Sequence, residues 1–262
     1  MTILEALILG LLQGITEFLP VSSSGHLVLL QRVFGIEEGV FTFTIVVHVA
    51  TLIPVLVVYY NRIKSLVKKP LQKLTLLIIL GTVPTVIAVL IFGDFIDTLF
   101  SGNFLALGFA ITAIAMFLTD RRKEGSKDIE QITKKDALII GVSQAVAIMP
   151  GISRSGSTIA GAVACDIKRD AAINFSFLLS IPAIVGATVL EIRHVVIGHT
   201  AFESLLTVPM LVGFLTAMIS GYFAIKFMLK IVEKRKLKYF GYYLMVLAVL
   251  IFVDQTFTNF VF

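Results

Sequence analysis

Pro150-Gly151-Ile152-Ser153-Arg154-Ser155-Gly156-Ser157-Thr158 sets four hydroxyls, two glycines and one guanidinium between two apolar runs, Ala145 to Met149 before it and Ile159 to Ala164 after it. Pro150 brings no N–H and disfavours helical geometry at Met149, so it predicts the end of one helix. The glycines permit a tight turn, and Ser155 or Ser157 is expected to cap a new helix whose free N–H groups point back into the turn. A helix N-terminus, hydroxyl donors and one arginine fork together suit an oxyanion, and the fork can hold two phosphate oxygens. In a soluble protein the same residues would read as a solvated loop. The rest of the chain argues against that.

The 262 residues are 57% hydrophobic and 15% charged, with a mean hydropathy of +0.97, which leaves too little polar surface to cover a soluble globule. The composition predicts an all-α integral membrane protein. Met1 to Leu12 carries only Glu5, so no removable signal peptide is expected and the first helix stays. Cys165, the single cysteine, excludes an intrachain disulfide and a cysteine metal cluster, and reads as a small buried residue. The net charge of +5 does not point to nucleic acid, because the basic residues lie between apolar spans, where membrane orientation explains them.

About six apolar runs are long enough to cross a bilayer, at 41–60, 74–92, 104–119, 171–192, 206–229 and 240–260. Two other apolar stretches, 3–19 and 137–149, run into a proline and a Ser/Gly turn, and each is followed by only half a span, 27–34 and 159–165. Irregular backbone at membrane depth survives only inside protein or beside a water-filled cavity, so these read as two re-entrant helical hairpins. They are also copies of one another. A shift of 131 residues carries Ala6 onto Ala137 and aligns Gly10 with Gly141, Gln13 with Gln144, Ser22 with Ser153, Ser24 with Ser155 and Gly25 with Gly156. The chain is therefore expected to be one membrane domain, 1–262, made of a first repeat at 1–120 and a second at 136–262, each a hairpin plus three spans.

Nineteen of the 22 basic residues fall in four clusters, 62–73, 121–135, 168–169 and 226–238, leaving Arg32, Arg154 and Arg193 elsewhere. Alternating the spans places all four clusters on one side, which the positive-inside rule makes cytoplasmic. With three full spans in each half the repeats are inverted, both termini lie outside, and the two hairpin turns meet within the membrane, as in inverted-repeat transporters.

Glu17 lies four residues after Gln13 on the same helical face, at a depth where an unpaired carboxylate costs roughly 2.5 to 3.5 kcal/mol and so calls for a partner, a proton or a metal. Ser22, Ser23, Ser24 and His26 follow in the turn that matches the Arg154 turn. Brought together, the two turns hold a carboxylate, an amide, serines, an imidazole and an arginine. Such a set suits phosphoryl transfer: arginine and amides for the anion, a carboxylate for a divalent cation or water, and His or Ser as nucleophile or acid–base group. His48 is a lone histidine on an apolar helix, a setting more often structural, while His194 and His199 are expected to be solvated in an outer loop.

The segments Gln13-x-x-x-Glu17, Leu19-Pro20-Val21-Ser22-Ser23-Ser24-Gly25-His26 and 150–158 resemble the two signature regions of the undecaprenyl-pyrophosphate phosphatase family of the bacitracin-resistance type. The likeness extends over nearly the whole chain, including Asp94-Phe95-Ile96, Phe175 to Pro182 and Ser220-Gly221-Tyr222. The family motif opens with Glu or Gln, and this chain has the Gln form. The resemblance implies removal of the terminal phosphate of a C55 polyprenyl diphosphate, recycling a lipid carrier for cell-wall synthesis and conferring bacitracin resistance. It also implies a divalent cation, Mg²⁺ or Ca²⁺, held by Glu17 and Gln13, and an active site opening to the outer side of the plasma membrane. Glu17, His26, Arg154 and Ser23 are the implied catalytic residues; Gln13, Ser22, Ser24, Ser153, Ser155, Gly156, Ser157 and Thr158 would bind the substrate. The nucleophile stays open between His26, a serine such as Ser23 and a water activated by Glu17. A homodimer is left open as well. The competing reading is a transporter or flippase of an anionic lipid, which needs Arg154 and helix N-termini but no acid–base pair. A purely structural subunit would not need Glu17 and Arg154 in the bilayer.

Overall fold

The computed structural model describes residues 1–36, 40–99, 102–197, 207–233 and 236–262, and among these the regular structure is helical throughout. The first helix, α1 (Ile3–Phe18), opens with a reciprocal capping box between Thr2 and Glu5 and ends at Leu19, before Pro20. A turn leads to α2 (Ser23–Val33), and then come α3 (Val40–Val58), α4 (Tyr60–Lys68), α5 (Lys73–Leu99) and α6 (Leu105–Arg121). A loop containing a 3₁₀ turn, Ile129–Gln131, precedes α7 (Lys134–Val146), whose capping box pairs Thr133 with Asp136. The chain ends with α8 (Arg154–Ala164), α9 (Arg169–Ile197), α10 (Val208–Glu233) and α11 (Lys238–Val253).

The 131-residue shift reaches further than the apolar runs suggest. Thr2 and Glu5 fall on Thr133 and Asp136, so both hairpins begin with the same capping device. Ser22 and Ser153 cap α2 and α8 in the same way, each accepting the N–H three residues on, from Gly25 and Gly156. The cap of α8 is thus Ser153, not the expected Ser155 or Ser157. Both half-helices start several residues before 27 and 159, because the capping serine directly follows the turn. Helix α7 ends at Val146, with Ala147 as its cap and Pro150 beyond.

Packing follows a swapped pattern: α1 lies along α10 and α7 along α5, so each hairpin is clasped by a long helix of the opposite half. The equivalent contacts are Gly10 of α1 on Gly213 and Thr216, and Gly141 of α7 on Gly81. Small residues let the backbones approach this closely, which is how helices associate where lipid removes the usual hydrophobic drive. A Cβ at position 10 would be driven into the Thr216 hydroxyl and the Gly213 carbonyl, and one at position 141 into the Gly81 carbonyl. Gly10→Ala and Gly141→Ala are each expected to cost about 1 to 3 kcal/mol as the helices are forced apart. Melting of the purified variants in detergent checks this, and unchanged midpoints would contradict the close approach.

Among the described residues, four helices are long and apolar enough to cross a membrane, and α3 with α4, bent by 85°, makes a fifth if taken as one span. At 17 residues α6 sits at the lower limit of about 17 for a crossing helix. The sequence places a span at 41–60 and a basic cluster after it, and gives no sign that 60–68 forms a helix of its own. Helix α4 is a separate, basic amphipathic helix lying across the end of α3. Lipid-facing positions are apolar and exposed, among them Leu90, Ile91, Phe223, Val246 and Leu250.

Three of the four basic clusters, 62–73, 121–135 and 168–169, meet at one end of the bundle. Arg62 pairs with Glu130 at 3.0 Å, Lys73 donates to the Glu130 carbonyl at 2.6 Å, and Lys168 pairs with Asp128 at 2.8 Å. Arg169, almost fully buried, donates to the Thr119 and Arg122 carbonyls at 3.0 and 2.8 Å, closing the C-terminal end of α6. The opposite end gathers Arg32 over the Phe262 ring and Gln255 on the Gly102 carbonyl. His194, expected in a loop, falls within α9; Leu206, His199, Lys234 and Arg235 lie outside the described residues.

Candidate active site

The two hairpin turns touch. The Ser155 hydroxyl of the second turn donates to the Leu19 carbonyl of the first at 2.9 Å, and a Cβ on Gly25 would stand 2.9 Å from Gly151 Cα. Thr112 of α6 fixes the second turn from behind: its hydroxyl accepts the Ser153 N–H at 3.0 Å and lies 3.1 Å from the Gly151 carbonyl. Ser22 holds a positive φ of 69°, which few non-glycine residues adopt without surrounding constraint.

Glu17 is the hub of the junction. Its Oε1 accepts from Arg154 Nη2 at 2.6 Å; its Oε2 accepts from Ser23 Oγ at 2.6 Å and from Gln13 Nε2 at 3.1 Å. His48 Nε2 of α3 stands 3.8 Å from the same Oε2. The carboxylate is 7% exposed, and the arginine across from it neutralises a charge that burial would otherwise penalise heavily. The first repeat supplies the carboxylate and the second the guanidinium. The shift places Ile148 opposite Glu17 and Ser23 opposite Arg154, so one half of each pair has lost the counterpart's chemistry.

Two buried atoms in this cluster have no hydrogen-bond partner, Arg154 Nη1 and Gln13 Oε1. An orphaned buried donor or acceptor is costly and calls for a ligand or function. The guanidinium arm suits an anionic oxygen, and the amide oxygen suits a cation. The donor set fits a divalent ion in a limited way: one carboxylate, one amide oxygen and one hydroxyl are too few alone, but Mg²⁺-type sites commonly take one or two carboxylates and complete their shell with substrate phosphates and water. No cluster of three or more His, Cys, Asp or Glu side chains suited to a metal occurs among the described residues.

The other sequence candidates lie around this centre. Ser22 and Ser153 are helix caps, with Ser24 Oγ 3.4 Å from Ser22 Oγ and Ser155 Oγ 3.2 Å from Ser153 Oγ. Gly156 gives its N–H to Ser153, and Thr158 donates within the first turn of α8 and lies 2.6 Å from the Ser176 hydroxyl of α9. Ser157 faces away, into a cleft of about 420 Å³ between α6, α7 and α8. His26 is buried in the first turn of α2 with both ring nitrogens engaged, Nδ1 on the Ser22 carbonyl at 2.7 Å and Nε2 on the Tyr243 hydroxyl at 2.7 Å. It stacks on Tyr243 and meets Phe109 edge-on. Sequence reasoning thus set His26 ahead of His48, whereas the fold brings His48 to the carboxylate. Tyr243 and Thr112 carried no sequence signal, since both contacts join positions far apart in the chain.

A family model described as "Bacitracin resistance protein BacA" matches residues 6–250. An undecaprenyl-diphosphatase of Carboxydothermus hydrogenoformans is 51% identical over 252 residues, covering 96% of this chain and 97% of that protein. One from Halothermothrix orenii is 40% identical, covering 97% of this chain and 98% of that protein. A relative of the same name from Methanosphaera stadtmanae is 35% identical across 95% of this chain and 96% of its own length.

Proposed function

We infer, on the premise that this chain belongs to the bacitracin resistance protein BacA family, that it is an integral membrane phosphatase acting on undecaprenyl diphosphate. The reaction releases inorganic phosphate and leaves undecaprenyl monophosphate. The observation that carries the reading is the Arg154–Glu17–Ser23 cluster where the two turns meet, with one guanidinium arm spent on the carboxylate and the other unpartnered.

Each side chain has a task in that reaction. Arg154 Nη1 takes an oxygen of the terminal phosphate and steadies the charge that develops on it. Of the three nucleophiles left open by the sequence, Ser23 is the one hydrogen-bonded to a base, at 2.6 Å from Glu17. Its Oγ attacks the terminal phosphorus as its proton passes to Glu17 Oε2, the Oγ–P bond forms, and the P–O bond to undecaprenyl monophosphate breaks. The leaving monophosphate takes that proton from Glu17 Oε2 and restores the carboxylate; water then gives a proton to Glu17 and attacks the phosphorus, the Oγ–P bond breaks, and Ser23 Oγ takes the proton back as phosphate leaves. The N–H groups at the start of α2 and α8 face the same turns and favour an anion there.

A divalent cation belongs to the same proposal, held by Glu17 and by Gln13 through its unpartnered Oε1. When bound it would offset the negative charge of the diphosphate. The direct test is phosphate release from undecaprenyl diphosphate by purified protein in detergent, with and without excess chelator. Release that stops in chelator and returns with Mg²⁺ or Ca²⁺ supports both parts; release unaffected by chelator removes the cation, and no release at all removes the phosphatase.

We place the protein in the plasma membrane with its basic end cytoplasmic and the site opening outward, on the strength of the charge distribution. Cysteine labelling should then find Lys64→Cys and Lys123→Cys accessible only from the cytoplasm, and a cysteine at Thr2 accessible from outside. Outside labelling of Lys64→Cys would contradict the arrangement. A flippase reading accounts for the paired hairpins but gives no task to Ser23 on Glu17.

A further inference from the structure

We propose that His48 is a nitrogen ligand of the cation site formed with Glu17 and Gln13, so that this site takes Mn²⁺ or another imidazole-binding divalent ion in preference to Ca²⁺. The inference rests on the cation reading above and goes beyond it by adding a ligand and a metal preference.

The two histidines beside the hairpins are held differently. His26 has a partner on each ring nitrogen, the Ser22 carbonyl and the Tyr243 hydroxyl, as a packed histidine does. His48 has one such bond, Nδ1 to the Thr44 carbonyl at 2.8 Å on its own helix. In the neutral ring that bond puts the proton on Nδ1 and the lone pair on Nε2. A backbone carbonyl accepting from one imidazole nitrogen is how metal-ligating histidines fix tautomer and ring orientation, with the other nitrogen left for the ion. Nε2 stands 3.8 Å from Glu17 Oε2, outside hydrogen-bond range. Two ligands at about 2.1 Å from one ion stand about 3.0 Å apart at the right angle of an octahedral ion such as Mn²⁺ and about 3.4 Å apart at a tetrahedral angle, so a movement of roughly 0.4 to 0.8 Å brings the pair to ligating distance.

The neighbours agree with a cation between them. Gln13 reaches the same Oε2 and keeps a buried, unpartnered amide oxygen. The hydroxyl of Thr51 is spent on the His48 carbonyl, so it does not compete for the ring. An all-oxygen site would suit Mg²⁺ or Ca²⁺; an imidazole moves the preference away from Ca²⁺ toward first-row ions, Co²⁺ and Zn²⁺ more strongly than Mn²⁺, which takes both oxygen and nitrogen ligands and serves as the spectroscopic probe.

The experiment is pulsed EPR on the purified protein with Mn²⁺ and methylenediphosphonate as a stand-in for the diphosphate. Wild type is expected to show coupling of bound Mn²⁺ to an imidazole nitrogen, which changes to the ¹⁵N pattern when histidine alone is isotopically labelled. His48→Gln should lose that coupling and bind Mn²⁺ at least about tenfold more weakly, whereas His26→Gln should keep the coupling. The labelled wild type needs no variant to fold. Mn²⁺ bound with no imidazole coupling, coupling that survives His48→Gln, or no bound Mn²⁺ would each overturn the proposal. Oxygen-only binding would leave the phosphatase and its cation standing, and chelator-resistant phosphate release would remove the cation while leaving the phosphatase, so the three readings fail separately.

Discussion

Arg154→Ala is expected to lower kcat/KM for phosphate release by about 10²- to 10³-fold, the loss seen when a preorganised donor to developing charge is removed, equal to roughly 2.7 to 4 kcal/mol. Its Nη2 holds Glu17 at 2.6 Å while its Nη1 is buried without a partner. One planar group therefore orients the carboxylate and offers a second arm to the phosphate. Lysine keeps the charge but cannot do both, so Arg154→Lys should recover only part of the rate. Stability provides the control. Removing Arg154 leaves Glu17 buried and unpaired, a change that costs about 3 to 5 kcal/mol in such pairs, and the double variant Glu17→Gln with Arg154→Ala should melt above Arg154→Ala alone. A solvated loop arginine predicts kcat/KM near wild type and stability unchanged within about half a kcal/mol.

Glu17→Gln keeps the shape and one acceptor oxygen but removes the charge on which Arg154, Ser23 and Gln13 converge. Ser23 loses its base and any cation loses its one carboxylate ligand, so kcat should fall by about 10²-fold or more. The expected pattern is a loss in kcat with a smaller change in KM, because the carboxylate acts mainly in the transition state. Steady-state kinetics on folded variant would check it, and turnover like wild type would remove Glu17 from the chemistry.

Much of this was legible in the sequence. The hairpins were readable because glycine, proline and serine are rare between long apolar runs, and the repeat because Gly10, Gln13, Ser22 and Gly25 recur at one offset in Gly141, Gln144, Ser153 and Gly156. A buried Glu17 demanded a partner, and Arg154 is the group the fold supplies. Other features could not be read locally. Gln13 and Gln144 align, yet Gln13 donates to Glu17 while Gln144 donates to Thr85 of α5, because Ile148 stands where the second carboxylate would be. The contrast between His26 and His48 depends on which ring nitrogen remains free, and that is set by Tyr243 more than 200 residues away and by the approach of α3 to α1. The break that makes α4 its own helix falls at Tyr59, in a run that is continuously apolar up to that point.

The claim that two inverted halves contribute one residue each to a single catalytic unit is tested most directly by a double-mutant cycle on kcat/KM for phosphate release from undecaprenyl diphosphate, using wild type, Arg154→Ala, Glu17→Gln and the double variant. Residues that act as a unit lose their contribution only once, so the double variant should be no slower than the worse single variant by more than about threefold. If the two losses multiply instead, Arg154 and Glu17 act independently, and the junction of the turns is not one site.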